Sequence, residues 1–248
     1  MTYLQAIILA IIQGLTEFLP VSSSAHLVLA QNYMPGFTQP GVLFDIMLHI
    51  GTTVAVLFYF RDRIVKVFRN DWYSYLIASI PAGAIGVLFS DFLESLFASI
   101  FFVGVTLLIS ALFNFYTDKA QGRRENITGL DAFFVGIAQA IAIIPGISRS
   151  SATIFAGTSL GISRQAAAEF SFLLSVPAII GATGVQLVKY GNTISAVPGP
   201  YIVGAIVSGI VGFASIGVLL RLLTERRFKY FAYYCVVVGI ASIAISLR

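Results

Sequence analysis

QGLTEFLPVSSSAH, residues Gln13 to His26, is the stretch on which the fold turns. It lies within an apolar run, Thr2 to Ala30, long enough to cross a bilayer. Pro20 breaks that run near its middle, and Ser22, Ser23, Ser24 and His26 follow the break. Each half is then too short to span. Such a pair reads as a re-entrant helix-loop-helix hairpin, because irregular backbone is tolerated at membrane depth only where protein or a water-filled cavity satisfies it. Gln13 and Glu17 are four residues apart and share a helix face ahead of the break. A second run, Leu130 to Leu160, is broken in the same way at Pro145, and Ser148, Arg149, Ser150, Ser151 and Thr153 follow.

Outward from the two hairpins, six uninterrupted apolar segments read as full spans: Val42 to Phe60, Tyr73 to Ser90, Phe97 to Phe115, Ala166 to Val188, Tyr201 to Leu220 and Tyr230 to Leu247. The composition agrees. Of 248 residues 58% are hydrophobic and only 10% charged, against roughly 25% charged in soluble domains, and mean hydropathy is +0.91. Soluble folds, disorder and fibres are excluded. The expected fold is therefore all-α, a polytopic integral membrane protein. Cys235 is the single cysteine, which excludes a disulfide framework and a cysteine metal site. The first basic residue is Arg61, so the apolar N-terminus lacks the charged start of a cleaved signal peptide.

The chain echoes itself. Pro20-Val-Ser22-Ser23 returns as Pro145-Gly-Ile-Ser148, and 24 or 25 residues later Phe44-Asp-Ile-Met-Leu returns as Phe170-Ser-Phe-Leu-Leu. Each half, about 1–117 and 128–248 of a single membrane domain, is one hairpin plus three spans. Three is odd, so the second half is expected upside down relative to the first, an inverted-topology repeat whose hairpins enter from opposite faces. Under that topology the Arg61 to Arg69 loop, the Lys119 to Arg124 loop, Arg164 and the Arg221 to Lys229 loop share one side, with 12 of the 15 basic residues. Lys189 and Arg248 fall on the other side, with the Asp91 and Glu94 turn. The positive-inside rule then puts both termini and the mouth of the first hairpin outside, and the net charge of +4 records orientation rather than nucleic-acid binding.

Ionisable groups at membrane depth are functional candidates, and here they are few: Glu17, His26, Asp45, His49, Arg149 and Glu169. A serine-rich break followed by a new helix offers free N–H groups and the positive end of a dipole, and Arg149 beside it makes the site suited to phosphate. A carboxylate facing the same cavity would hold a divalent cation against phosphate oxygens or take a proton. The bland readings are a structural ion pair of Arg149 to Glu17 or Asp45 and a packed His26, and the serine setting favours function for Arg149. His49, Asp45 and Glu169 read as structural. Small residues in Gly181 to Gly184 and in Gly204 to Gly217 read as close helix packing.

QGLTEFLPVSSSAH and PGISRSSAT (Pro145 to Thr153), with EFSFLLSVP (Glu169 to Pro177), resemble the signature motifs of the undecaprenyl-diphosphate phosphatase family, the bacitracin-resistance proteins. The resemblance covers essentially the whole chain. It implies a plasma-membrane hydrolase that removes the terminal phosphate of a polyprenyl diphosphate from the extracytoplasmic side. That reaction recycles the lipid carrier for peptidoglycan and other cell-envelope glycans and confers resistance to bacitracin. It also implies Mg²⁺ or Ca²⁺ as cofactor, held at Glu17, and admits a homodimer. Carried over residue by residue, Glu17, Ser23, His26 and Arg149 are catalytic candidates. Gln13, Ser22, Ser148, Arg149, Ser150 and Thr153 are substrate-binding ones. Gln13 departs from the family, where many members have a second Glu, and an amide is a weaker cation ligand and no base.

Three nucleophiles fit this reading: Ser23 activated by His26, His26 itself, or a metal-bound water. The rival function is a polyprenyl-phosphate transporter or flippase, since inverted repeats with broken helices are also a transporter architecture. A phosphatase of the type-2 phosphatidic acid phosphatase superfamily is excluded, because no His follows His49 to complete its last motif.

Overall fold

The computed structural model describes residues 1–190, 198–224 and 227–247. Arg226 and Arg248, two of the basic residues in the charge count, lie outside the described residues. Among the described residues the regular structure is all helical, and the only bridge is an isolated one between Arg124 and Ile162.

Both breaks fall where Pro20 and Pro145 place them. Helix α1 (Tyr3–Thr16) ends before Pro20 and α2 (Ser23–Asn32) begins after it; α8 (Gly129–Ile141) and α9 (Arg149–Ser159) flank Pro145. Ser22 and Ser148 cap the two new helices, accepting from Ala25 N at 3.3 Å and Ser151 N at 3.2 Å. Each cap satisfies a donor that the start of a helix would otherwise leave open.

Between and after the hairpins run α3 (Leu43–Tyr59), the short α4 (Arg61–Lys66) with a π-helical turn over Val67–Asp71, α5 (Trp72–Leu88), α6 (Ser90–Leu96), α7 (Ile100–Lys119), α10 (Arg164–Tyr190), α11 (Gly199–Thr224) and α12 (Phe228–Ser246). Among the described residues four helices, α7, α10, α11 and α12, are long and apolar enough to cross a membrane. A fifth span is completed if residues 69–88 and α6, bent by 82° to each other, count as one. At 17 residues α3 is apolar but shorter. The chain is a multi-pass membrane protein.

With little hydrophobic drive between helices in lipid, close backbone approach has to supply the packing. Helix α1 lies on α11 through Gly14, where an added Cβ would meet Val211 Cβ at 2.6 Å, and α8 lies on α5 through Gly136, where it would meet Ala78 O at 2.5 Å. Gly51 of α3 meets the Ala205 carbonyl and Ser208 of α11, and Gly104 of α7 meets Gly239 of α12. The reading of Gly204 to Gly217 as packing residues holds for Gly204, Gly209 and Gly212, which meet Leu48 and Phe44, Gly51, and Phe18 and Thr52 respectively. It fails for Gly181 and Gly184, where an added Cβ would meet nothing within 4 Å among the described residues. The same residue type there leaves space instead of closing it.

Charged pairs separate the two ends of α10. Near its start Glu169 pairs with Arg63, and Arg164 donates to the terminal carbonyls of α7, Thr117 O at 3.2 Å and Asp118 O at 2.6 Å. Near its far end Lys189 reaches Asp91 at 2.5 Å and Glu94 at 3.4 Å. This separation matches the grouping of charges read from the sequence.

Candidate active site

Hydroxyls of α7 satisfy the irregular backbone of the second hairpin. Thr106 Oγ1 donates to Pro145 O at 2.6 Å, Ser110 Oγ donates to Gly146 O at 3.0 Å, and Ser110 Oγ accepts from Ser148 N at 2.8 Å. Gly146 adopts φ +91° at this tip, and a side chain there would run into Thr106 and the Val103 carbonyl. The first hairpin is satisfied jointly by α7 and by the second hairpin. Pro20 O accepts from Asn114 Nδ2 at 2.6 Å and from Ser151 Oγ at 3.0 Å, and Leu19 O accepts from Ser150 Oγ at 3.3 Å. Gly146 N donates to Ser24 Oγ at 3.3 Å. The two tips therefore meet and cross-brace.

Glu17 stands where they meet. It is the first residue after α1 and is only 8% exposed. One carboxylate oxygen pairs with Arg149 Nη2 from the opposite hairpin. The other accepts from Ser23 Oγ at 2.7 Å and Gln13 Nε2 at 3.0 Å, and lies 3.1 Å from His49 Nδ1. That ring nitrogen is also 2.8 Å from Gln13 Nε2, so its tautomer decides which bond it makes. Arg149, the first residue of α9, also donates to Ser171 O of α10 at 3.0 Å. One turn on, Thr153 Oγ1 donates to Arg149 O at 2.7 Å and lies 2.6 Å from Ser171 Oγ, which fixes the helix end that carries Arg149.

Glu17, Ser22, Ser23, Ser148, Arg149, Asp45 and His49 all line one cavity of about 470 Å³, whose other walls come from α5, α6, α8 and α10. Gln13, His26, Ser150 and Thr153 are not among its lining residues; the first and the last two stand behind the wall, bonded to Glu17, to Leu19 O and to Arg149 O.

The expected link between Ser23 and His26 is not formed. His26 Nδ1 lies 2.7 Å from Ser22 O, and a carbonyl only accepts, so Nδ1 carries the proton and Nε2 accepts from Tyr234 OH at 2.7 Å. The ring stacks on Tyr234 with centroids 5.6 Å apart. Ser23 turns the other way, to Glu17. His49, read as structural from the sequence, touches Glu17 and Gln13. The sequence signals were its charge in an apolar span and its place one turn beyond Asp45 on the same face; its 36-residue separation from Gln13 hid the contact. Asp45 is held by Gln31 at 2.5 Å and Gln39 at 3.2 Å. Glu169 is taken by Arg63 at the end of the bundle, as the structural reading of it expects.

The donor set suits a hard cation. Gln13 Oε1 is buried without a hydrogen-bond partner among the described residues, next to the Glu17 carboxylate, and serine hydroxyls stand close by. Among the described residues no three His, Cys, Asp or Glu side chains converge as a metal cage. Few protein ligands, with phosphate oxygens and water completing the shell, is the pattern of Mg²⁺ sites.

The chain is 41% identical to an undecaprenyl-diphosphatase of Syntrophotalea carbinolica over 99% of its own length and 100% of the relative's. It is 38% identical to one from Carboxydothermus hydrogenoformans, covering 99% and 98%, and 39% identical to one from Methanobrevibacter smithii, covering 97% and 96%. Residues 6–241 match the family model described as bacitracin resistance protein BacA, and the chain belongs to that family.

Proposed function

We propose that this protein is an undecaprenyl-diphosphate phosphatase, which hydrolyses a polyprenyl diphosphate to the monophosphate and inorganic phosphate. The observation that carries the reading is the Glu17–Arg149 pair, formed between two serine-capped helix breaks at the wall of one cavity. An anion-binding guanidinium, two helix starts and a carboxylate in one place suit a phosphate ester better than a neutral lipid.

Arg149 and the first N–H groups of α2 and α9 would hold the terminal phosphate and stabilise charge as it develops. Ser23 Oγ attacks phosphorus while Glu17 takes its proton, the bond from phosphorus to the bridging oxygen breaks, and the polyprenyl monophosphate leaves. Water then attacks phosphorus, the Oγ–P bond breaks, Ser23 recovers a proton, and inorganic phosphate departs. A divalent cation held by Glu17 would neutralise charge on the phosphoryl oxygens. His49 orients the Glu17 carboxylate.

The inverted-repeat reading belongs here too: six spans with α5–α6 and α3 included, two re-entrant hairpins, and the first hairpin's mouth outside the plasma membrane. What supports it is an exchange of packing between the halves: α1 lies on α11 as α8 lies on α5, and α7 with α12 and α3 with α10 pair across the middle. The grouping of charge at the two ends of α10 supports the orientation. In a cell this activity would recycle the envelope lipid carrier and confer bacitracin resistance. A homodimer is compatible with it.

The test is phosphate release from farnesyl or undecaprenyl diphosphate by detergent-purified protein, with Mg²⁺ or Ca²⁺ and after chelation. Release that chelation removes and either cation restores supports the reading; a folded wild type that releases nothing but moves the lipid between leaflets makes it a transporter. In the same assay Ser23→Ala is expected to lower kcat by at least about 10³-fold. His26→Ala should stay below the roughly 10²-fold loss that removal of a general base brings. The reverse order would transfer the nucleophile or its base to His26.

A further inference from the structure

One buried group facing the cavity has no partner and no part in the chemistry above. Gln139 of α8 is 3% exposed, and among the described residues neither its Oε1 nor its Nε2 has a hydrogen-bond partner, although the side chain lines the cavity that holds Glu17 and Arg149. Counted back from the capping serines Ser22 and Ser148, its counterpart is Gln13, whose amide N–H donates to Glu17. Four residues after Gln139 stands Ile143, where Gln13 is followed by Glu17, so Gln139 has no carboxylate of its own to bind.

The contacts of the neighbouring helices fix its depth. Gly136 abuts Ala78 of α5, and Gly86 faces Ile143 at 3.8 Å, which places Gln139 near the level of Ala82. Tyr75 of α5 meets Phe170 of α10 with ring centroids 4.6 Å apart, so in parallel helices Ala82 lies near the level of Pro177. Running antiparallel to α10, α9 sets Thr153 against Ser171, which brings Arg149 one turn further toward Pro177. Gln139 therefore lies at about the depth of Arg149, and Ala82 and Pro177 line the cavity beside it.

We propose that Gln139 is a substrate-binding residue that takes the lipid-linked phosphate of the diphosphate, the one that stays with the product. This rests on the phosphatase reading and deepens it. A polyprenyl diphosphate has two phosphates, and Arg149 with the serine caps accounts for one. An amide offers N–H and C=O from the same end, which matches a partly protonated phosphate or a phosphate with its bound water. Being neutral, it orients the phosphate shared by substrate and product without adding a charge that would hold the monophosphate after the chemistry. An orphaned buried amide is costly, and a ligand that satisfies it recovers that cost on binding.

The experiment uses Gln139→Met, similar in shape and without the amide. The phosphatase reading itself is checked by wild-type hydrolysis of farnesyl diphosphate. With that in hand, the variant is expected to raise KM about tenfold with kcat within about threefold, the loss of one hydrogen bond to a charged group. Its melting temperature without ligand should equal or exceed that of wild type, and the rise that farnesyl diphosphate produces in wild type should shrink. An unchanged KM, or the same ligand-induced rise in both proteins, overturns the inference even where hydrolysis is intact. A variant that melts well below wild type without ligand overturns it as well, by showing that the amide serves the fold.

Discussion

Arg149→Ala and Glu17→Ala are each expected to reduce phosphate release by about 10³-fold or more, and the double variant to lose little beyond either. Arg149 supplies two donors that a phosphate can take, and removing one preorganised donor from a charge-stabilising site commonly costs about 10²–10³ in rate. Glu17 holds Ser23 Oγ, Gln13 and Arg149 in one arrangement, so its loss disorders the groups that the first change also disables. Residues that act as a unit give such non-additive losses. Both single variants should fold. Without Arg149, Glu17 keeps Gln13, Ser23 and His49; without Glu17, Arg149 keeps the Ser171 carbonyl. Arg149→Lys should recover only part of the rate, because an ammonium cannot reproduce the planar fork. Steady-state release of phosphate, alongside size-exclusion profiles, checks all four. An alanine variant that retains a tenth of the wild-type rate would remove that residue from the site.

The second large effect is on stability. Gly51→Ala is expected to destabilise the protein by about 3 kcal/mol or more, whereas Gly181→Ala should leave it unchanged or slightly more stable. At Gly51 even a methyl group would overlap the Ala205 carbonyl and Ser208, and the obstacle is backbone, which cannot rotate away. Helices α3 and α11 would have to separate, and Ser208 would lose its 2.8 Å bond to Leu48 O. At Gly181 the added methyl meets nothing, and alanine is the better helix former by up to about 1 kcal/mol. Melting curves in detergent separate the two, and comparable losses at both positions would contradict the division between packing and cavity-lining glycines.

That division also marks where the sequence stops being informative. Pro20 and Pro145 made both helix breaks legible, and the cost of placing charge in lipid singled out Glu17 and Arg149, which the structure brings together. The glycines at 51 and 181 look alike in sequence, because what surrounds a glycine is decided by another helix. Ser23 and His26, three residues apart, looked like a pair, but neighbouring positions on a helix still choose different partners: Glu17 draws the hydroxyl, and Tyr234 draws the ring. His49 and Gln139 were passed over for a related reason. Each acquires its meaning from residues on other helices, and no local spacing announces a contact of that kind.

The cross-bracing of the hairpins bears on how the protein is made. Glu17 and Arg149 are 132 residues apart in the chain. At about 5–20 residues per second, synthesis of that interval takes on the order of ten seconds. Throughout it the first hairpin is complete but its Pro20 carbonyl has not met Ser151, and its carboxylate has not met its cation. Exposed to hydrocarbon, those groups would be costly, so the newborn N-terminal half has to wait in a wet or proteinaceous shelter, or remain near the surface, until the ribosome delivers the second. Biogenesis is then not vectorial. The amino-terminal half inserts first but finishes last, and a ribosome stalled between Lys119 and Arg149 would leave a membrane fragment that quality control has good physical grounds to recognise.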